Sequence, residues 1–452
     1  MNQKNMKTIL RWAAPAFLAA SVAMPAAAAL PIQKWQQPSG AQVYLIESPS
    51  LPMVDVQVDV DAGERRDPAD KAGLHSVTAS MTSKGIAARD GQPALDENQL
   101  SEAWADLGAG FGASASADRM SFTLRSLTYP DLLAKAVALG ARQLGEPSFP
   151  DNVWQRDRQR MAAAIREADT RPGTVASKAF QKAVYGGHPY GYDTTEESLS
   201  RITTDDMRQV YKLVQPCRAK VSIVGAVNRA QADQIATTLL SRLPAGPCTA
   251  LPPVPEVPAL TSASEKDIPF AAAQAQVLIG QPGYKRSDPD YFPLTVGNYT
   301  LGGGGFVSRL TTEVREKRGL SYSVYSYFNP GMHAGAFTLG LQTRPDQAAQ
   351  AVQVSRDVLK RFVAEGPTEA ELKAAKDFMI GGFALRIDSN SKLLDNLANI
   401  AWNDLPLDYL DTWTRQVEKV TAADIKAAFA RKLQPDRMVT VVVGAPVAPN
   451  RQ

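Results

Sequence analysis

The chain has 452 residues, of which 44% are hydrophobic and 21% are charged, and its formal net charge at pH 7 is +3. This length suits two domains of ordinary size, and the hydrophobic content is enough for packed cores. Lys4, Lys7 and Arg11 account for the whole net charge, so the rest of the chain lacks the surplus of cations that contacts with nucleic-acid phosphates require.

The first 29 residues have the pattern of an export signal. The three cations precede an apolar stretch, Trp12–Met24, and Pro25 then leads into a run of alanines. The stretch is short for a membrane span, and the small residues predict cleavage near Ala27–Ala29. We therefore predict a periplasmic protein without membrane attachment after cleavage; the alternative is a retained anchor.

The first half mixes strands and helices in separate runs. Apolar or alternating residues predict strands at Gln42–Ile46, Met53–Val60 and Ser121–Ser126. Helical periodicity predicts helices at Gly73–Gly85 and Leu95–Leu107. This mixture is typical of α+β proteins, in which a sheet is layered against helices.

The chain contains two cysteines, Cys217 and Cys248. Cys217 opens a predicted strand, and Cys248 follows a predicted helix, Arg229–Leu243, that would pack back on that strand. In an oxidising compartment this arrangement favours a disulfide over two free thiols. Two cysteines alone are too few for a structural zinc site.

An internal repeat relates the two halves of the chain. Ile202–Val227 and Val420–Pro446 each contain a threonine cap with an acidic residue, an amphipathic helix, a Gln-Pro turn and an apolar strand ending in Val-Gly-Ala. Recurrence of this whole order predicts two homologous α+β domains, each a mostly antiparallel sheet layered against helices.

A proline-rich stretch separates the halves. Its composition predicts a stiff, exposed linker, because each proline ring restricts the backbone. The predicted units are therefore a signal peptide at residues 1–29, an N-terminal domain at 30–250, a linker at 251–266 and a C-terminal domain at 267–452.

Four consecutive glycines, Gly302–Gly305, precede the predicted helix of the second half. A phosphate-binding loop would need Lys and then Ser or Thr after the glycines, and Phe-Val-Ser follows instead. The run therefore predicts a flexible entry to the next helix.

The next stretch, Arg309–Phe328, combines a predicted helix with a predicted strand. Gly319 follows Lys-Arg, which signals a helix end, because glycine readily takes φ > 0 and cations suit the last carbonyls. Arg315 lies one turn before this end and Tyr322 soon after it, so both can reach one small region. A guanidinium and a phenol suit a peptide carbonyl or carboxylate. The alternative is a solvated arginine and a tyrosine that fills the core.

The motifs of the chain resemble those of the inverted-zincin peptidases, the family of pitrilysin, insulysin and the mitochondrial processing peptidase. The resemblance spans most of the chain after the signal. It rests on the stretches DAGERRDPADKAGLH, YGGHPYG, SRLTTEVREKRGLSYSVYS and GGFALRIDSNSKLLDNLANIAW, and on the repeat. In that family a helix of the first domain carries H-x-x-E-H, whose histidines bind Zn²⁺ and whose glutamate activates water.

The matching helix of this chain lacks that motif. The resemblance puts Ser76, Ala79 and Ser80 at the first histidine, the glutamate and the second histidine. His75 is one residue away and therefore on another face of the helix.

Other residues do not replace the missing ligands. The family's third ligand, a distant glutamate, falls on Ala164, and Glu167 is displaced by almost a turn. His188 and His333 lie in predicted turns without ligand spacing. The sequence also lacks G-x-S-x-G and an evident His–Asp relay for a nucleophilic serine. We therefore expect no metal and no catalytic residue in this chain.

The resemblance implies a peptide-contacting role for the second half. In these peptidases an Arg and a Tyr seven positions later contact the peptide near zinc, and Arg315 and Tyr322 have this spacing. The implied protein is a non-catalytic subunit that orients peptide in a closed chamber, while a homologous partner carries zinc and H-x-x-E-H. Two alternatives stay open: a homodimer that captures peptides without cutting them, and a purely structural family member.

Overall fold

The computed structural model describes residues 31–444. The predicted signal peptide at residues 1–29 lies outside the described residues. Among the helices of residues 31–444, none combines the length and the apolar character that crossing a bilayer requires.

The described residues form strands and helices in both halves. The strands are β1 (Gln33–Gln36), β2 (Gln42–Glu47), β3 (Met53–Val60), β4 (Gly85–Ile86), β5 (Leu95–Asp96), β6 (Gly110–Ala115), β7 (Met120–Leu127), β8 (Lys220–Gly225), β9 (Ser264–Ile268), β10 (Ala275–Tyr284), β11 (Val324–Phe328), β12 (Gly335–Thr343) and β13 (Val439–Val443). The α-helices are α1 (Leu74–Met81), α2 (Glu97–Asp106), α3 (Pro130–Gly145), α4 (Asp151–Ala168), α5 (Pro172–Tyr185), α6 (Glu196–Arg201), α7 (Thr204–Tyr211), α8 (Arg229–Leu240), α9 (Tyr291–Asn298), α10 (Ala348–Glu365), α11 (Glu369–Gly381), α12 (Asn390–Trp402), α13 (Tyr409–Lys419) and α14 (Ala422–Lys432).

The two halves build sheets with the same strand order. The first sheet runs β1-β2-β8-β3-β7-β6, and the second runs β11-β12-β10-β13-β9. Read from its other end, the second sheet places β9, β13, β10, β12 and β11 where the first has β2, β8, β3, β7 and β6. In each sheet one pair is parallel, β2 with β8 and β9 with β13, and the other pairs are antiparallel. The predicted α+β fold of two homologous, mostly antiparallel sheets is confirmed.

The repeated helix–strand units begin with the same local interaction. The Thr203 hydroxyl accepts a hydrogen bond from the N–H of Asp206 at the start of α7, and Thr421 is bonded to Asp424 in the same way at α14. Each aspartate carboxylate accepts in return from the threonine N–H, which completes a capping box. The helices lead to the equivalent strands β8 and β13.

Each half also supplies one helix to the sheet of the other half. α5 packs on β10 and β13, where the Phe180 ring lies so close to Gly280 that a side chain there would clash with it. α12 in turn packs on β8 and β3. Arg119 and Lys220 of the first half donate to main-chain carbonyls near the end of α12, where cations offset the helix dipole. The two sheets are therefore interlocked.

The segment between the halves is tied to both of them. The Pro255 carbonyl is bonded to His188 Nε2 at 2.9 Å, and the Glu256 carboxylate pairs with Lys285 Nζ at 2.5 Å. β9 begins at Ser264, inside the predicted linker at 251–266. The domain boundaries drawn from the sequence stay a prediction.

Candidate functional site

α1 carries the residues that stand at the zinc-ligand positions of the inverted zincins. Ser76 is half-buried, Ala79 is buried and Ser80 is exposed. Zinc in proteins is held by the side chains of Cys, His, Asp and Glu, and not by hydroxyl or methyl groups. The residues present therefore do not fit a zinc ion.

The position of the distant glutamate offers no replacement. Ala164 lies on α4 and is exposed, as is Glu167. Throughout residues 31–444, no group of three or more His, Cys, Asp or Glu side chains is arranged to hold a metal ion. The geometry thus gives no metal centre to which a catalytic step could be assigned.

His75, at the start of α1, is hydrogen-bonded to the carboxylate of Asp67. Its Nδ1 lies 2.5 Å from Oδ1 of Asp67, and both side chains are buried. The Asp67 carboxylate also accepts hydrogen bonds from the N–H groups of Gly73 and His75. These donors have no partner within the helix. Asp67 therefore caps α1 through a contact from outside the helix, and His75 packs against that cap.

A half-buried carboxyl, Glu64, remains beside Ser76. Burial raises the pKa of Glu64, and the nearby Ser76 side chain acts in the opposite direction. Glu64 also lines a cavity of about 510 Å³ between the halves, which we call the junction cavity. Its charged lining residues come from the first half and are Glu64, Arg65, Asp67, Asp118 and Arg119.

Arg315 lies on a π-helical segment, Thr311–Glu316, so the helix that the sequence predicts there is present but has π-type hydrogen bonds. The N–H of Lys317 donates to the carbonyl of Thr312, five residues back, at 3.0 Å. A π turn accommodates one extra residue and so redirects the side chains around it. Local propensity does not distinguish this arrangement from an α-helix, because the same residues suit both.

The chain then reverses at Gly319 and reaches β11 late. Gly319 takes φ 63°, and the N–H of Leu320 returns to the carbonyl of Val314 at 3.0 Å. β11 begins at Val324, so Tyr322 precedes the strand instead of lying in it. Tyr322 is 80% exposed and does not fill the core.

The Arg315 guanidinium lies between two exposed aromatic rings. Its carbon is 4.6 Å from the centroid of the Tyr322 ring and 4.7 Å from that of the Phe306 ring. Cation–π contacts of this kind orient a guanidinium plane. Arg315, Tyr322 and Phe306, which is 67% exposed, thus form one open surface.

The carboxylates of this helix make no ion pair with Arg315. Glu313 pairs with Lys317 and Arg318, each at 2.7 Å, and these hydrogen bonds lower the pKa of Glu313. Among the ion pairs of residues 31–444, none involves Arg315. Its planar fork of donors can therefore meet a carbonyl or carboxylate of a ligand.

Three glycines of the run, Gly302, Gly303 and Gly304, are packed against neighbouring atoms, whereas Gly305 is not. The flexible entry to the helix stays a prediction. A Cβ at Gly302 would lie 2.5 Å from the nitrogen of Ser326 on β11. The Asn298 amide donates to the carbonyl of Ser326 at 2.9 Å. Glycine is needed here because two backbones approach closely. The contacts also cover the outer edge of β11 at Ser326.

His188 and His333 meet at the junction of the halves. Their ring centroids are 5.4 Å apart, and both residues are buried. His188 is bonded to the Pro255 carbonyl, and His333 Nδ1 lies 3.2 Å from Oε2 of Glu256. Sequence reasoning missed this cluster because its three segments are far apart in the chain and no local pattern relates them.

A disulfide joins Cys217 and Cys248. It connects the turn before β8 with the segment after α8. The bond thereby fixes α8 to the strand beside it, and closing this loop lowers the entropy of the unfolded chain.

Two family models match consecutive parts of the chain. Residues 42–198 match the model described as insulinase, peptidase family M16. Residues 201–379 match the model described as peptidase M16 inactive domain. The boundary between the matches falls within α6, the helix before the one that opens the first repeat unit.

Relatives cover nearly the whole chain but carry different names. "Non-peptidase homolog YmxG" of Helicobacter pylori is 26% identical over 407 residues, which are 88% of this chain and 90% of that protein. "Uncharacterized zinc protease YmxG" of Bacillus subtilis is 25% identical over 373 residues, 81% of this chain and 88% of that protein. The crystal structure of a peptidase M16 inactive domain from Pseudomonas fluorescens is 33% identical, covers 93% of this chain and 99% of its own, and has a TM-score of 0.85. One relative is named a non-peptidase homologue and the other a zinc protease, so these names do not decide whether this chain is catalytic.

Proposed function

This chain belongs to the peptidase M16 family, and we propose that it is a non-catalytic subunit of a heterodimeric zinc metallopeptidase. Arg315 and Tyr322 bind and orient the peptide, and a homologous partner with an intact H-x-x-E-H cuts it in a chamber that the two chains enclose. One asymmetry carries the proposal. The metal-ligand positions hold serine and alanine, whereas the Arg315–Tyr322 pair is intact, with Tyr322 exposed and Arg315 half-buried beside it.

The chemistry of the pair suits a peptide backbone. Arg315 offers several N–H donors in one plane, and Tyr322 offers a hydroxyl that donates or accepts. The flanking rings hold the guanidinium before a ligand arrives, so less side-chain entropy is lost on binding. Because neither residue is a nucleophile or a metal ligand here, their contribution is to position the scissile carbonyl and to stabilise charge on it.

An extended peptide would also pair with the edge of a sheet. Asn298 and Gly302 cover β11 at Ser326, so this edge is a poor template. β6, Gly110–Ala115, is the outer strand of the first sheet and is partly exposed. A peptide that adds to this chain would therefore use β6 or one of the other outer strands, β1 and β9, or else the partner's sheet.

The proposed compartment is the periplasm. The support is the signal pattern of residues 1–29, with its cations, apolar stretch and alanine-rich end. A partner has to be exported as well, so the candidates are secreted M16 chains of the same organism with H-x-x-E-H. The zinc ion of the complex would be held by that partner.

The test combines the mature chain with such a candidate and measures cleavage of a quenched fluorescent peptide. We expect cleavage by the pair to fall at least about tenfold in Arg315→Ala, since hydrogen bonds to charged groups contribute roughly 1.5–3 kcal/mol. Arg318→Ala is the matched control, because it removes an arginine of the same segment that pairs with Glu313.

Three other results would contradict the proposal. Equal rates for Arg315→Ala and the wild type would remove the role of the pair. Peptide binding without cleavage in any combination would favour the capturing homodimer. Absence of peptide binding with every partner would favour the purely structural protein.

A further inference from the structure

β11, which follows Tyr322 in the chain, carries two partly exposed tyrosines. Tyr325 and Tyr327 are 41% and 46% exposed, whereas Val324 and Ser326 are buried. Alternate residues of a strand share one face of the sheet. The two rings stack on that face with centroids 5.9 Å apart.

The Tyr325 ring rests on a glycine of the neighbouring strand. Tyr325 is paired with Gly340 of β12, and a Cβ at Gly340 would lie 2.5 Å from the ring. Gly340 is also paired with Leu278, which packs in the cluster around α5. The ring is therefore fixed on the face of the second sheet that the exchanged helix α5 covers.

A cavity of about 310 Å³, which we call the β11 cavity, opens between Tyr325 and the first turns of α5. Its size is at the lower end of ligand pockets, so it suits one side chain better than a whole ligand. Its polar lining consists of Ser177, Gln276, Ser323, Tyr325 and Gln342, and none of its lining residues is charged. Ser323, one of the lining residues, directly follows Tyr322, so one wall of the cavity lies a single residue from the Arg315–Tyr322 pair in the chain.

We propose that the β11 cavity is a specificity pocket, which accepts one side chain of the peptide that Arg315 and Tyr322 hold. It selects a neutral side chain with a hydrogen-bonding end, with tyrosine and glutamine as the best fits. This inference rests on the proposed function, because the peptide has to be held beside the cavity. An extended peptide rises about 3.3 Å per residue, so a side chain close to the bound carbonyl reaches the pocket.

The lining determines this selectivity. The amides of Gln276 and Gln342 each offer donors and an acceptor. The Tyr325 ring offers a contact for a second aromatic ring. A charged side chain would lose its hydration without meeting an opposite charge, which costs binding free energy. Neutral polar side chains are therefore favoured over Glu and Lys.

The junction cavity does not offer this chemistry. Its arginines are already paired, Arg65 with Asp61 at 2.7 Å and Arg119 with Asp59 at 2.9 Å. Mixed charges that satisfy each other give no preference for one neutral side chain. The β11 cavity differs because its polar groups are all uncharged.

The experiment uses fluorescein-labelled peptides built on an alanine-based parent, with one Tyr, Gln, Glu or Lys at successive positions. Affinities for the mature chain, alone and with its partner, are measured by fluorescence anisotropy. At one position we expect Tyr and Gln peptides to bind about tenfold more tightly than Glu and Lys peptides, a difference near 1.4 kcal/mol.

Three variants locate the preference. Ser177→Phe fills the cavity from an exposed position on α5 and should bring the Tyr and Gln peptides to the affinity of the Glu and Lys peptides. Ser177→Ala is the matched control and should retain the preference. Gln342→Glu adds a carboxylate to the lining and should make the Lys peptide the tightest. This gain of binding cannot result from misfolding.

The outcomes separate this inference from the proposed function. A missing preference, or one that Ser177→Phe and Gln342→Glu leave unchanged, overturns the specificity pocket while peptide binding by the pair stands. Arg315→Ala should weaken all peptides alike and preserve their order. If Arg315→Ala has no effect, or if no peptide binds, the proposed function and the pocket fail together.

Discussion

The Arg315 guanidinium stacks on the Tyr322 ring at 4.6 Å, so the two residues form one unit and not two independent contacts. Tyr322→Phe keeps the ring and removes the hydroxyl. A hydrogen bond from this hydroxyl to the ligand would contribute about 0.5–1.5 kcal/mol to binding. Tyr322→Ala also frees the guanidinium. We expect cleavage by the complex to fall roughly two- to tenfold in Tyr322→Phe and further in Tyr322→Ala.

A double-mutant cycle tests this coupling. The effects of Arg315→Ala and Tyr322→Ala on the cleavage rate should be clearly less than additive, because each removes part of the same unit. Tyr129→Phe serves as the control, since Tyr129 is exposed elsewhere on the surface. Additive effects would mean that the stacking has no functional role.

Arg119 holds the two halves together. Its guanidinium lies 2.9 Å from Oδ2 of buried Asp59 and donates to a carbonyl of α12. Burial raises the pKa of Asp59, and the Arg119 charge opposes that rise. Arg119→Met leaves the carboxylate buried without this partner, so the free energy of unfolding in urea should fall by roughly 3 kcal/mol.

Arg344→Met provides the comparison for that measurement. Arg344 also pairs with a carboxylate, that of Asp346, but the two side chains are 70% and 60% exposed. Its loss should cost less than about 1 kcal/mol. Equal destabilisation by both variants would contradict the role of Arg119 as an interdomain contact.

His188 makes stability depend on pH. Burial lowers the pKa of His188, although its bond to the Pro255 carbonyl acts in the opposite direction. Below the unfolded value of about 6.5 the unfolded chain takes up a proton first. The contribution of His188 is therefore full above about pH 6.5 and is lost as the pH falls toward the lower folded pKa.

His188→Gln removes this titration and keeps an amide donor for Pro255. Between about pH 7.5 and 5.5 the free energy of unfolding in urea should fall less in His188→Gln than in the wild type, with a slope difference of at most about 1.4 kcal/mol per pH unit. Glu256, His333 and Asp118 remain in both proteins. Parallel curves would show that His188 does not titrate in this range.

The Cys217–Cys248 disulfide should contribute to stability by restricting the unfolded chain. A separation of 31 residues corresponds to about 3.7 kcal/mol on the loop-entropy scale. The Cys217→Ser/Cys248→Ser double variant should unfold at correspondingly lower urea, and dithiothreitol should bring the wild type to the same midpoint. A wild-type midpoint that dithiothreitol does not change would contradict this contribution.

Sequence reasoning predicted those parts of the fold that local rules determine. The capping boxes are an example, because each needs only two residues three positions apart: Thr203 with Asp206, and Thr421 with Asp424. The strands that follow, β8 and β13, are mostly apolar because both of their faces are covered. The repeat of these units gave the two homologous α+β domains.

Tertiary contacts determine the rest, and the sequence carries no local sign of them. The exchange of α5 depends on Phe180 meeting Gly280, 100 positions away in the chain. Gly302 reads as flexible until Ser326 is seen beside it. The zinc positions were readable because a family pattern, and not propensity, defines them.

The central claim is that this chain positions peptide and leaves the cutting to a partner. The most direct measurement is the zinc content of the purified mature chain after incubation with zinc and dialysis. With Ser76, Ala79, Ser80 and Ala164 at the ligand positions, we predict no more zinc than in a protein without a metal site. One zinc ion retained per chain would contradict the account.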